Sequence, residues 1–293
     1  MRVIGYYNSF DRQDAINAIN LDAITHLNYA FLLPASDGSV YFKDEDDVKR
    51  VVKICKEKGI KVYVSLGGAC DGEIIISNVF EDIMKDELAF NTLIYNVMQM
   101  VEKYEFDGID VDWEYPWIEY KDHFERLIKA LRERADIVNI GLTIAIHRAI
   151  EGEVKFNRLE SVTDKVVSMV DWLNIMTYDD SDEDNHSSIE RAKNSLNYWN
   201  DIRKVPKDKL LIGIPFYARP SEKPYYKIIR GGDKSAFDDF WGEDSYNGIY
   251  TVKEKALLGK QYGGVIIWAI NFDAPKDDEY NLLSIINYLS KKD

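Results

Sequence analysis

The stretch Phe106-Asp107-Gly108-Ile109-Asp110-Val111-Asp112-Trp113-Glu114-Tyr115-Pro116 decides how this chain is read. Its apolar and β-branched content is that of a strand, whose side chains alternate between faces with period 2. Asp110, Asp112 and Glu114 therefore share one face, and Ile109, Val111 and Trp113 share the other. Three carboxylates stacked on one face repel each other, and burying them costs far more than local packing returns. A solvated edge strand would tolerate that pattern. The apolar borders and mid-chain position argue instead for a buried parallel strand, where clustered carboxylates mark a site.

Working outward, short apolar runs recur at 3–7, 26–31, 61–66, 108–113, 140–146, 173–178, 210–216 and 264–270. Most are apolar on both parities, as parallel strands covered on both faces require. Between them the spacing predicts helices over 44–58, 87–103, 120–134, 189–199, 252–262 and 280–289. The first of these is acidic at its start, basic at its end and stopped by Gly59, in keeping with the helix dipole and stop signals. Strands alternating with helices predict a (β/α)8 barrel, with residues 1–293 forming a single catalytic domain. The interval 219–250 lacks periodicity and carries Gly231-Gly232, Trp241 and several tyrosines. It reads as an elaborated loop over the barrel.

At 293 residues, 46% hydrophobic and 30% charged, the composition is that of a globular protein able to bury its own core. The net charge of −14 repels nucleic acid and anionic membranes, so neither is expected as a partner. No apolar run approaches the roughly 20 residues that span a bilayer. Met1-Arg2-Val3-Ile4-Gly5-Tyr6-Tyr7 reads as a strand and not as a signal peptide, which fits a cytoplasmic protein or the mature part of a secreted one. Two cysteines, Cys55 and Cys70, imply no disulfide framework.

Closely spaced carboxyl groups cannot all ionise, so at least one pKa is forced upward. That condition keeps a carboxylic acid protonated near neutral pH, ready to protonate a leaving group. Metal binding is the competing chemistry. The four histidines form no ligand motif, and three carboxylates alone would suit a hard cation such as Mg2+, with no phosphate-binding loop beside them. No metal and no cofactor are expected.

The run from Asp107 to Glu114 resembles the D-G-x-D-x-D-x-E signature of the family 18 glycoside hydrolases, the chitinase family, in a small form without the large insertion between strands 7 and 8. Further similarities follow in order along the chain. They are Val3–Tyr7, His26–Phe31, Ser65-Leu66-Gly67-Gly68, Met176-Thr177-Tyr178-Asp179, Gly213-Ile214-Pro215-Phe216-Tyr217 and Gly263–Trp268. The resemblance implies a retaining, substrate-assisted hydrolysis of β-1,4-linked N-acetylglucosamine chains, the family's known exception to the two-carboxylate scheme. It makes Glu114 the proton donor, Asp112 the partner of the acetamido N–H, and Asp110 the residue that holds or shares a proton with Asp112. Tyr178 would donate to the acetamido oxygen, and Tyr6 and Ser65 would support the aspartate pair. Trp268 would form the floor under the reacting sugar. Phe31, Gly68, Met176, Asp179, Tyr217 and Arg219 are the remaining substrate-binding candidates.

Several of these have ordinary structural uses. Tyr6, Phe31, Met176, Tyr217 and Trp268 suit a core as well as a cleft. Gly67 and Gly68 let the chain turn tightly at a strand end. Asp179 and Asp273 could start helices, and only Asp179 is assigned to the site. The short 219–250 interval implies an open cleft and internal (endo) cleavage by a monomer. Two other functions remain: an endo-β-N-acetylglucosaminidase acting on peptidoglycan, spore cortex or N-glycans, and a non-catalytic sugar-binding protein, which the three intact carboxyls argue against.

Overall fold

A computed structural model describes residues 1–11, 16–149, 159–179 and 185–292. Eight strands, β1 (Arg2–Asn8), β2 (His26–Pro34), β3 (Lys61–Gly68), β4 (Gly108–Trp113), β5 (Gly141–His147), β6 (Leu173–Met176), β7 (Leu210–Pro215) and β8 (Gly264–Trp268), recur along the chain. Helices α1 (Glu45–Glu57), α2 (Ile76–Lys85), α3 (Glu87–Tyr104), α4 (Lys121–Val138), α5 (Asp164–Met169), α6 (Ile189–Asn197), α7 (Ile249–Lys260) and α8 (Leu282–Lys291) lie between and after them. The order is that of a (β/α)8 chain. It divides into two compact units: one comprises Met1–Leu27, Arg148–Ile150 and Asn174–Asp293, the other Asn28–His147 and Glu151–Leu173.

In the first unit β8 lies between β1 and β7, parallel to both, with Trp268 opposite Tyr6 and Pro215. In the second, β4 lies between β3 and β5, also parallel. There Ser65, Asp110 and Thr143 form one row across three strands, and Gly67 pairs with Asp112.

Why β4 can carry its acids is visible on its other face. Ile109 and Val111 are 0% exposed and Trp113 is 1% exposed. The Trp113 ring stacks on Phe80 of α2 at 4.9 Å and meets Phe124 of α4 edge-on at 5.9 Å. Its Nε1–H donates to Ser77 Oγ at 2.9 Å, so the buried indole leaves no unmet donor. Each such large side chain contributes about 1.5–3 kcal/mol on burial, which offsets part of what the acidic face costs.

The helices begin where side-chain caps are available. Asp44 accepts from the N–H groups of Asp46 and Asp47 at the start of α1, and Asp86 from Leu88 and Ala89 at the start of α3, each such cap being worth about 1 kcal/mol. Helix α2 is absent from the sequence reading. It has no side-chain cap, and it follows directly on a two-residue strand, Ile74–Ile75, that pairs with Cys70–Asp71. Helix α5 is missed because six residues are too few to show a period. The interval 219–250 is more ordered than its lack of periodicity suggests. It holds short helices Tyr225–Ile228 and Asp233–Phe237 and a hairpin pairing Phe240–Trp241 with Asp244–Ser245. The two cysteines, Cys55 buried and Cys70 exposed, are both free.

Gly67 sits at φ +122°, and a Cβ there would stand 2.2 Å from the carbonyl oxygen of Asp112. Strand β3 can therefore approach β4 at this row only without a side chain. Gly67→Ala is expected to cost about 1–3 kcal/mol in stability, measured by urea unfolding. An unchanged midpoint would show that the strand ends yield.

Candidate active site

The row of acids in the second unit starts with Asp110, which is 0% exposed. Ser65 Oγ–H donates to its Oδ2 at 2.9 Å and Thr143 Oγ1–H to its Oδ1 at 2.7 Å. Both donors are its register neighbours, so the fold supplies them automatically once β3, β4 and β5 align. Thr143 was not anticipated, although a lone hydroxyl in the apolar run Leu142–Ile146 was a signal in the sequence.

Asp112 follows on the same face, also buried. Burial pushes its carboxyl well above the usual range, and the charges of Glu114 and then Asp110 push it further. Its Oδ1 is buried and accepts no hydrogen bond among the described residues. Buried acceptors are nearly always satisfied, so an open one has the character of a group kept for a ligand. Glu114 lies one residue beyond β4 and is partly exposed. The chain thus moves from a satisfied buried acid to an unsatisfied one and then to one that solvent can reach. Phe31 is buried, and its ring occupies the space above Gly68, where a Cβ would come within 2.8 Å of it.

The other candidates belong to the first unit. Tyr6 is buried, its hydroxyl accepts from Asn174 Nδ2 at 3.1 Å, and its ring lies 5.9 Å from that of Trp268. Trp268 is the one residue of β8 that is not buried. Met176 ends β6, and the buried Tyr178 meets Tyr217 edge-on at 6.2 Å.

Asp179 has φ +61° and collects three donors. Tyr217 O–H donates at 2.6 Å, and Arg219 donates through Nε at 2.8 Å and Nη2 at 2.9 Å. Burial alone would raise the Asp179 carboxyl, but the Arg219 guanidinium, with His186 and Tyr217, overrides it and holds the carboxyl well below the usual range. A bidentate Arg–carboxylate pair of this kind is a rigid, permanently charged fixture. Sequence reasoning missed His186. It is buried, its Nδ1 lies 3.4 Å from Asp179 Oδ1, and burial lowers its pKa so that it stays neutral. Asp273 serves a helix start: it accepts from the N–H groups of Leu282 and Leu283 in the first turn of α8.

Among the described residues no group of His, Cys, Asp and Glu could hold a metal ion, and no helix is long and apolar enough to cross a membrane.

The glycosyl hydrolases family 18 model matches residues 2–273, and the chain belongs to that family. It is accordingly a glycoside hydrolase of the chitinase family. It is 25% identical to Putative chitinase 1 of Margaritifera margaritifera over 92% of this chain and 71% of that protein. It is also 25% identical to Probable chitinase 10 of Drosophila melanogaster, over 87% of this chain but 14% of that much longer protein. Among solved structures, the GH18 chitinase ChiB from the chitin utilization locus of Flavobacterium johnsoniae superposes with TM-score 0.82 at 28% identity, covering 98% of this chain and 93% of that one. The fold is the (β/α)8 barrel that the alternation of strands and helices predicts.

The raised Asp112 pKa makes a pH-dependent contribution of known sign. The unfolded chain ionises this carboxyl before the folded one does, so the fold loses stability as pH rises from about 3.9 toward the raised folded value. Asp112→Asn removes that loss. Its Tm is expected to exceed wild type by about 2–4 °C near neutral pH, equivalent to about 1 kcal/mol for a chain of this size. Below about pH 4 the difference should shrink, because Asp112 is then protonated in both states. A variant less stable than wild type at neutral pH would show that the carboxyl is stabilising as an ion.

Proposed function

We propose that the chain is a retaining, endo-acting chitinase, one catalytic domain that hydrolyses β-1,4-linked N-acetylglucosamine polymers or oligomers by substrate-assisted catalysis. The observation that carries this reading is Asp112: a buried carboxyl with a raised pKa and an open Oδ1, placed between a saturated Asp110 and a partly exposed Glu114. An acetamido N–H is a donor suited to that oxygen, and the match to family 18 supports the same assignment.

In the proposed reaction Glu114 gives its proton to the glycosidic oxygen as the bond to the anomeric carbon breaks. The carbonyl oxygen of the sugar's own 2-acetamido group attacks that carbon and forms an oxazolinium ion. Asp112 holds the acetamido N–H and offsets the positive charge that develops there. Glu114, now a carboxylate, takes a proton from water as the water opens the ring and restores the configuration. Asp110, fixed by Ser65 and Thr143, keeps a second acid beside Asp112 and so helps to hold the proton that the pair shares. Tyr178 as donor to the acetamido oxygen and Trp268 as the sugar's floor follow from the family resemblance. No cofactor enters this scheme, because Glu114 serves as both acid and base and the nucleophile comes from the substrate.

Internal cleavage is supported by the interval between β7 and α7, which holds two short helices and a two-residue hairpin in place of a large insertion. The open surface there includes Phe240, 50% exposed, and Trp241, 40% exposed, aromatic faces of the kind sugars stack on.

The test is hydrolysis of N-acetylglucosamine oligomers with the product anomer followed in time. Wild type should release the β-anomer first and cut internal bonds. Glu114→Gln should lose about 10²–10⁴-fold in kcat. Oligomers lacking the acetyl group at the reacting sugar should not be cut. An initial α-anomer would overturn retention, and strict processive release of dimers from chain ends would overturn endo action.

A further inference from the structure

Helix α7 carries Lys255, whose side chain is 0% exposed. Among the described residues no carboxylate forms an ion pair with it. Its Nζ donates instead to Ser187 Oγ at 2.6 Å and to Asn247 Oδ1 at 2.8 Å. The network continues from there. Ser187 Oγ donates to the carbonyl oxygen of Thr177 at 2.7 Å, and Asn247 Nδ2 donates to the carbonyl oxygen of Ser187 at 2.8 Å. Thr177 Oγ1 donates in turn to the carbonyl oxygen of Gly213 on β7 at 2.8 Å.

A buried ammonium without a counterion is one of the more expensive side chains a fold can hold. Burial draws the Lys255 pKa down to about 7, with Asp239 acting weakly against it. A methionine would fill the same space at less cost, so packing does not account for the lysine. Its distinctive property is several donors on one atom. Two of them reach acceptors on different segments, and through Ser187 they reach a third. The residues thus held are Thr177 and Ser187. Tyr178 and Asp179 follow Thr177 directly, His186 directly precedes Ser187, and the amide of His186 also donates to Ser245 Oγ at 3.1 Å.

We propose that Lys255 is a positioning residue for Tyr178 and Asp179, acting through Ser187 and the carbonyl of Thr177. The proposal rests on the reading of Tyr178 as donor to the acetamido oxygen. Thr177 immediately precedes Tyr178, so a shift of its peptide swings the phenol. Placement errors of about 1 Å in a catalytic group can cost about 100-fold in rate.

The experiment measures kcat, KM and thermal unfolding on N-acetylglucosamine oligomers for Lys255→Met and Ser187→Ala, each alone and combined with Tyr178→Phe. Lys255→Met keeps the length of the side chain and removes its donors. Ser187→Ala breaks the relay while leaving the lysine, and it decides the matter if Lys255→Met does not fold. With Tyr178 present, kcat should fall about tenfold or more while KM changes less than about twofold. In the Tyr178→Phe background the same change should cost less than about twofold, because the group being positioned is gone. Wild-type kcat in both single variants, or an equal fold loss in both backgrounds, would overturn the proposal and leave Lys255 a purely structural residue. A Tyr178→Phe enzyme with wild-type kcat would instead remove the Tyr178 reading and the Lys255 route with it. The two failures are therefore distinguishable.

Discussion

A row of acids cannot be buried for its own sake, and the second unit is arranged around making β4 bear one. The strand alternates, so every carboxyl on its inner face is matched by an apolar side chain on the outer one. Trp113 is the decisive partner. It lies between Phe80 of α2 and Phe124 of α4, with its N–H satisfied by Ser77. This apolar packing anchors β4 and offsets part of what burying Asp110 and Asp112 costs.

The two aspartates then differ because of their neighbours. Asp110 sits in a row with Ser65 and Thr143 and receives a hydroxyl donor on each oxygen. Asp112 sits in a row whose β3 member is Gly67, which brings no side-chain donor. A residue with a side chain at that position would collide with the Asp112 carbonyl. The same close approach that excludes a side chain therefore leaves Asp112 short of donors. Register thus sorts two identical side chains into a satisfied acid and a frustrated one, and the frustrated one has the chemistry to use.

The first unit solves a different problem, the fixing of the residues on either side of Tyr178 and Asp179. Asp179 is drawn down by Arg219 and Tyr217, and Thr177 and Ser187 are tied to Lys255 and Asn247. The Asp179 cluster carries its charge on a paired guanidinium, and the Lys255 cluster rests on hydrogen bonds to a buried amine whose pKa is drawn down to about 7. His186 lies close to both and is kept neutral chiefly by burial.

The sequence by itself determined the alternation of β4, the order of strands and helices, and the identity of the three acids. Each depends on a local period or a contiguous motif. The helix caps Asp44 and Asp86 are local for the same reason. Even locally there were misses: α2 follows directly on the two-residue strand Ile74–Ile75, and α5 is shorter than its own period can reveal. Only the tertiary structure decided which aspartate is satisfied, because Ser65 and Thr143 lie 45 and 33 residues from Asp110 and meet it through register alone. Only the tertiary structure placed Lys255 against Ser187, 68 residues away in sequence. In the sequence that lysine reads as one more solvent-facing residue of an amphipathic helix. Burial is a property of what packs around a residue, and no local pattern carries it.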